Sequence, residues 1–129
     1  GDGCFQMTCQ ELITATTENI PIKIVVFNNG NHGMVRQWQK IFYNSKFSAS
    51  ELGHVVPDYV KLAESMGAVG LRMIKKSEVK NVFSEMLKIN DRPVLIDCVV
   101  DPEDMVFPMV PAGGSNDQII LNEEDLKNL

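Results

Sequence analysis

Residues 22–34 read IKIVVFNNGNHGM. From Ile22 to Phe27 the chain is β-branched or aromatic at every position except Lys23, the pattern of a strand covered on both faces. The pattern then breaks into Asn28-Asn29-Gly30-Asn31-His32-Gly33, residue types that accept positive φ and make turns through their own side chains. A buried strand that runs into a polar glycine-containing loop is the junction at which layered α/β proteins hold their ligands.

Working outward, the stretch before this strand has helical spacing, with Phe5, Cys9, Leu12, Ile13 and Ala15 or Thr16 near one face. Asn19 and Pro21 stop it. After the loop, Met34–Tyr43 reads as a helix carrying Met34, Trp38, Ile41 and Phe42 on one side. Residues 44–56 are polar and irregular, a surface excursion. Pro57 and Asp58 then suit the first turn of a helix whose apolar stripe is Tyr59, Leu62, Ala63 and Met66, ending at Gly67. Val69–Ile74 is a short strand, and Ser77 suits a cap for a helix with Val79, Val82, Phe83, Met86 and Leu87 at spacings of three and four. Pro93–Val100 is a second strand of the doubly buried type. Beyond Asp101 the prolines and glycines predict an irregular tail, and residues 122–129 a short acidic helix or a fraying end.

Strands alternating with helices specify an α/β fold: a three-layer parallel sheet with crossover helices. Only three strands are visible, and the opening Gly1-Asp2-Gly3 sits where a strand should just have ended. The expectation is therefore a domain truncated at its N-terminus, with residues 1–104 as the layered part and 105–129 as a C-terminal arm.

Composition narrows the function. The 129 residues are 44% apolar and 22% charged, an ordinary globular balance. Twelve Lys and Arg against 17 Asp and Glu leave a net charge of −5, which provides no basic field for a nucleic-acid backbone. No apolar run approaches the roughly 20 residues that span a bilayer. Three cysteines without a CxxC or paired histidine spacing argue against a disulfide scaffold or structural zinc, and fit a reducing compartment. The expectation is thus no nucleic acid, no membrane and a cytoplasmic setting, any targeting segment lying outside this chain.

Asp2 and Asn29 carry the chemistry. In a parallel α/β unit the loop before the first helix and the loop after the next strand emerge side by side. A carboxylate, an amide oxygen and the backbone carbonyls of the Asn-Gly loop then converge. Hard oxygens of this kind suit Mg²⁺, which shares its shell with phosphate oxygens and water. Gly1 and Gly3 leave room for a diphosphate beside the main chain, and a helix starting near Cys4 would point its amino end at that anion. A lone GDG is no more than a tight turn. GDG followed by an amphipathic helix, an apolar strand and Asn28-Asn29 resembles the thiamin diphosphate motif, in which the Asp and the second Asn ligate Mg²⁺.

The flanks sharpen the resemblance. IKIVVFNNGNHGMVRQWQKIFY at 22–43, above all GMVRQWQ at 33–39, is similar to acetolactate synthase (acetohydroxyacid synthase) catalytic subunits, as are GDGCFQMTCQEL at 1–12, DYVKLAESMGA at 58–68 and VFPMVPAGG at 106–114. It implies a thiamin-diphosphate-binding fold with Asp2, Asn29 and the backbone oxygen of Asn31 on Mg²⁺. It also implies that Gly3, Cys4, Asn29, Asn31, His32, Gly33 and Met34 line the cofactor, and that Met34 and Trp38 shape the channel for the second 2-oxo acid. Residues 31–46 would be a mobile loop and 105–127 an arm over the active site. Cys4, where a serine is common, and His32, where a bulky apolar residue is usual, depart from the pattern without removing a ligand.

The same resemblance implies a transferase that joins pyruvate to a second 2-oxo acid with loss of CO₂, for branched-chain amino acid biosynthesis. It would be a homodimer with FAD in a domain absent from this chain, and a regulatory small subunit as a further partner. The glutamate that activates the cofactor would come from another domain of a neighbouring subunit. No residue here is marked as a catalytic acid or base, so these 129 residues alone are expected to be inactive. His32 and His54 read as loop residues, Cys4 as an ordinary thiol, and Trp38, by its helical setting alone, equally as core. The alternatives are a related 2-oxo acid decarboxylase, oxidase or carboligase, or a non-catalytic nucleotide-binding module.

Overall fold

The computed structural model describes residues 1–53 and 55–128; His54, weighed above, and Leu129 lie outside the described residues. Its elements are α1 (Asp2–Thr8), α2 (Glu11–Thr17), β1 (Lys23–Asn28), α3 (Gly33–Phe42), α4 (Tyr59–Ser65), β2 (Val69–Met73), α5 (Val79–Lys88) and β3 (Val94–Val99). The three strands form one parallel sheet in the order β1-β3-β2, with Lys23 and Val69 both in register with Val94. Helices lie on both faces, the three-layer α/β arrangement predicted from the alternation of strands and helices.

Alternation along the strands divides the core. Ile24, Val26 and Leu95 pack with Leu12, Tyr59, Ala63 and Ala68 under α1, α2 and α4. Val25, Val94, Ile96 and Cys98 face the other way, against Val82, Phe83 and Met86 of α5. Only β3 is covered on both faces, and Leu95 and Ile96 have no exposed surface. Truncating either to Ala would cost about 2–5 kcal/mol by lost transfer energy and the cavity left behind. Gly70 lets α4 lie directly on β2, because a Cβ there would sit 2.5 Å from the Val60 carbonyl oxygen.

Several sequence expectations need correction. Ile22–Phe27 was expected to be covered on both faces, but β1 lies at the sheet edge and Phe27 is 59% exposed. The first helix is two short ones, broken at Cys9-Gln10, and begins at Asp2 rather than near Cys4. Asp2 and Gly3 therefore belong to the first turn and not to a preceding loop. Ile13, Val79 and Leu87, assigned to apolar stripes, are exposed. Helix α4 starts at Tyr59; Pro57 precedes it, and the Asp58 carboxylate caps it by accepting from the amides of Val60 and Lys61. Ser77 caps nothing. A 3₁₀ turn at Lys76–Glu78 leads into α5, and the Glu78 carboxylate accepts from the amides of Ile74 and Lys75. Those two bonds hold the Glu78 pKa below the usual glutamate value. The tail contains an isolated antiparallel bridge between Met109 and Ile120 and 3₁₀ turns at Asn116–Gln118 and Asp125–Asn128.

Candidate functional site

The Asp2 side chain is 1% exposed and lies against the loop that follows β1. Its Oδ2 accepts from the Gly30 amide at 2.8 Å, while Oδ1, equally enclosed, has no hydrogen-bond partner among the described residues. A buried carboxylate oxygen without a donor costs roughly 1–3 kcal/mol or more, so a positive ligand is the natural complement.

The loop is held from both sides. The Asn29 Oδ1 accepts from the Asn31 amide at 3.0 Å, and the Asn31 Nδ2 donates to the Asn29 carbonyl at 2.7 Å, closing a tight polar turn around Gly30. Gly30 has φ +69°, the left-handed region that glycine adopts without strain. Residues 50–52 run antiparallel to this turn: the His32 amide donates to the Ser50 carbonyl at 2.7 Å and the Leu52 amide to the Gly30 carbonyl at 3.0 Å. By sequence 44–56 reads as a surface excursion, and no periodicity marks the single bridge that makes this clamp.

Two glycines permit close approach. A Cβ on Gly3 would fall 2.8 Å from the His32 ring, and one on Gly33 2.9 Å from the Asn29 Nδ2. Asp2, Gly3, Cys4, Asn29, Asn31, His32, Gly33 and Met34 line one hollow of about 460 Å³. Every residue named above as metal- or cofactor-binding is therefore brought to one place. Phe27, Val35, Val100 and Val106 add apolar walls, and Gln37 and Asp104 add polar ones that the sequence did not single out.

Trp38 lies elsewhere. It is half-buried, packs on Phe42 with ring centroids 4.9 Å apart, and lines a neighbouring hollow of about 630 Å³ with Val35, Gln39 and Tyr43. Met34 borders both hollows. The side of α3 that carries Met34 and Phe42 is exposed, and its one buried residue is Gln37. This polar side chain grips the tail: its Oε1 accepts from the Val106 amide at 2.7 Å and its Nε2 donates to the Val106 carbonyl at 3.0 Å. Arg36 and Lys40 reach the Glu103 carboxylate at 2.5 and 3.1 Å.

Beneath the site, Tyr59 is fully buried. Its hydroxyl accepts from the Gln6 amide at 2.8 Å and donates to the Asp2 carbonyl at 3.4 Å. Burial, with the nearby Asp2 and Asp97 carboxylates, pushes the phenol pKa up and preserves that donor. Cys4 is exposed and Cys98 buried, and burial raises the Cys98 thiol. Among the described residues no three His, Cys, Asp or Glu side chains cluster as a metal centre, so any cation here would rest on one carboxylate supplemented by amide and carbonyl oxygens. No helix among the described residues is long and apolar enough to cross a membrane.

Comparison with known proteins shows the family. Residues 1–98 match the family described as thiamine pyrophosphate enzyme, C-terminal TPP binding domain. Over 122 residues the chain is 54% identical to an acetolactate synthase of Mycobacterium avium and 52% identical to an acetolactate synthase large subunit of Corynebacterium glutamicum. Each match covers 92% of this chain and 20% of the relative, so the chain spans about a fifth of those proteins. Among solved structures, the thiamine diphosphate-dependent 4-hydroxybenzoylformate decarboxylase of Rhodococcus jostii RHA1 superposes with a TM-score of 0.69 at 28% identity. That match covers 78% of this chain and 19% of the decarboxylase chain. This chain belongs to the family of thiamine pyrophosphate enzyme C-terminal TPP binding domains.

Proposed function

We propose that these residues form the cation and diphosphate end of the cofactor site in an acetolactate synthase catalytic subunit. The enzyme condenses pyruvate with a second 2-oxo acid with loss of CO₂. The observation that carries the reading is the partnerless, buried Asp2 Oδ1 beside the Asn29–Asn31 turn. The donor set fits Mg²⁺: one carboxylate (Asp2), the Asn29 side-chain oxygen and the Asn31 carbonyl, all hard oxygens. Gly3, Cys4, His32, Gly33 and Met34 line the space for the diphosphate and the rings attached to it. When bound, thiamin diphosphate supplies the carbanion chemistry that removes CO₂ from a 2-oxo acid, chemistry that no amino-acid side chain offers.

The chain's own part is to bind, orient and exclude water. Asp2 offers charge where the cation would sit, and the Asx turn presents oxygens from a backbone fixed by five hydrogen bonds. Phe27, Val35, Val100 and Val106 give the hollow apolar walls. In this reading Met34 and Trp38, which line adjacent hollows, shape the passage for the second 2-oxo acid. FAD, a homodimer, a regulatory small subunit and a cytoplasmic location belong to the same proposal through the resemblance to acetolactate synthases.

The test is calorimetry on the intact protein that carries this chain, with thiamin diphosphate in the presence and absence of Mg²⁺, followed by product analysis from pyruvate. Metal-linked binding with acetolactate as product is expected. Acetaldehyde or another simple decarboxylation product would favour a decarboxylase, the activity named for the structural neighbour. An absence of metal-linked heat would remove the cofactor reading.

A further inference from the structure

Below the Asp2–Asn29 region a chain of charged and polar side chains crosses the whole sheet. Asp97 stands on the central strand, in register with Val26 of β1 and Arg72 of β2, and is 2% exposed. Both its oxygens are committed: Oδ1 accepts from the Asn28 Nδ2 at 2.8 Å and Oδ2 from the Arg72 Nε at 2.9 Å. Arg72 also reaches the Asp58 Oδ1 at 2.6 Å, the oxygen that caps α4. One residue further on, Tyr59 holds the Asp2 carbonyl.

Stability is a weak reason for such a network: Asp97 is buried, but the Arg72 and Asp58 side chains are 39% and 37% exposed, so desolvation and solvent screening offset the attraction. Position does distinguish it. Asn28 is the last residue of β1 and immediately precedes Asn29, so whatever holds the Asn28 side chain fixes where the Asn29–Asn31 turn begins. The same network reaches Asp2 through α4. It therefore grips both sources of the oxygen set.

We propose that Asp97 is a positioning residue for the divalent-cation site, acting through the Asn28 side chain on the turn that carries Asn29 and Asn31. This rests on the cation reading given above. Groups that orient metal ligands from behind typically change metal affinity 10- to 100-fold when removed.

The experiment uses the intact protein with thiamin diphosphate present and Mn²⁺ as the probe. Free Mn²⁺ is measured by electron paramagnetic resonance, together with the line shape of the bound ion and the melting temperature without metal. The variants are Asn28→Ala, which removes only the link, Asp97→Asn, which removes the charge at its origin, and Asp2→Asn as the control. The expected result is a loss of Mn²⁺ affinity of roughly 10-fold in Asn28→Ala, with an altered bound-ion line shape, and a loss in the same direction in Asp97→Asn. Should Asp97→Asn fail to fold, Asn28→Ala decides alone. Affinity within about twofold of the parent and an unchanged line shape in Asn28→Ala, with Asp2→Asn still abolishing binding, would overturn the positioning role and leave the site standing. Unchanged Mn²⁺ binding in Asp2→Asn would overturn the site reading, and the role of Asp97 with it.

Discussion

The Asp2 carboxylate is bound to the Gly30 amide through one oxygen at 2.8 Å and has no partner among the described residues at the other, although both are enclosed. The two residues lie 28 positions apart, and their meeting ties the first turn of α1 to the turn after β1. Asp2→Asn keeps the Gly30 bond and removes the carboxylate charge. In the intact protein the variant is expected to lose metal-dependent cofactor affinity by more than the roughly 10–100-fold typical of an outer partner. Without metal it should melt no lower than the parent, since an amide is cheaper to bury than a carboxylate. Calorimetry and melting curves with and without Mg²⁺ give the two signs.

Gly3→Ala would push a methyl to within 2.8 Å of the His32 ring and 3.4 Å of the Leu52 side chain. The ring is the flexible end of its side chain and can turn aside. The expected outcome is a protein that folds normally but binds thiamin diphosphate more weakly. Proton spectra of His32 should shift in the variant while signals from the β3 core do not.

Gln37→Leu preserves volume but leaves the Val106 amide and carbonyl without partners, at a cost of about 1–3 kcal/mol for each group that stays buried. Hydrogen exchange should accelerate across residues 103–110 and remain slow in Val94–Val99. Equal acceleration in both would mean that the tail is not a separately held unit.

The same tail should loosen in acid. Hydrogen bonds from Arg36, and then from Lys40, hold the Glu103 pKa below the usual value of 4.5. A depressed carboxylate contributes its stabilisation above the unfolded pKa and loses it as the pH falls through the folded one. Proteolysis of the 101–110 segment should therefore be slow at neutral pH and quicken below about pH 4.5, whereas Glu103→Gln should be cleaved faster already at pH 7.

How far the sequence carried the fold can be seen in single residues. The run Val94–Val99, apolar but for Asp97, reads as a strand buried on both sides, and its first five residues are buried. The near-identical run of β1 carried the same message, yet Phe27 is exposed, because a one-dimensional pattern does not say which strand lies at the edge. The site was legible in its ligand types and in the spacing of Asp2 and Asn29. The clamp by Ser50–Leu52, the grip of Gln37 on Val106 and the tie from Asp97 to Asn28 were not. Each joins residues 18 to 69 positions apart through one or two hydrogen bonds, with no repeating signature.

By itself the sequence determined the alternation of strands and helices, the two apolar faces of the sheet, and the hard-oxygen residues at one junction, because periodicity and residue chemistry are local properties. Tertiary structure alone decided the strand order and which oxygen of Asp2 is left without a donor. It also placed Gln37 rather than Met34 on the buried side of α3. These depend on which distant groups pack and hydrogen-bond together in the folded chain, and burial then makes an unpaired oxygen costly enough to matter.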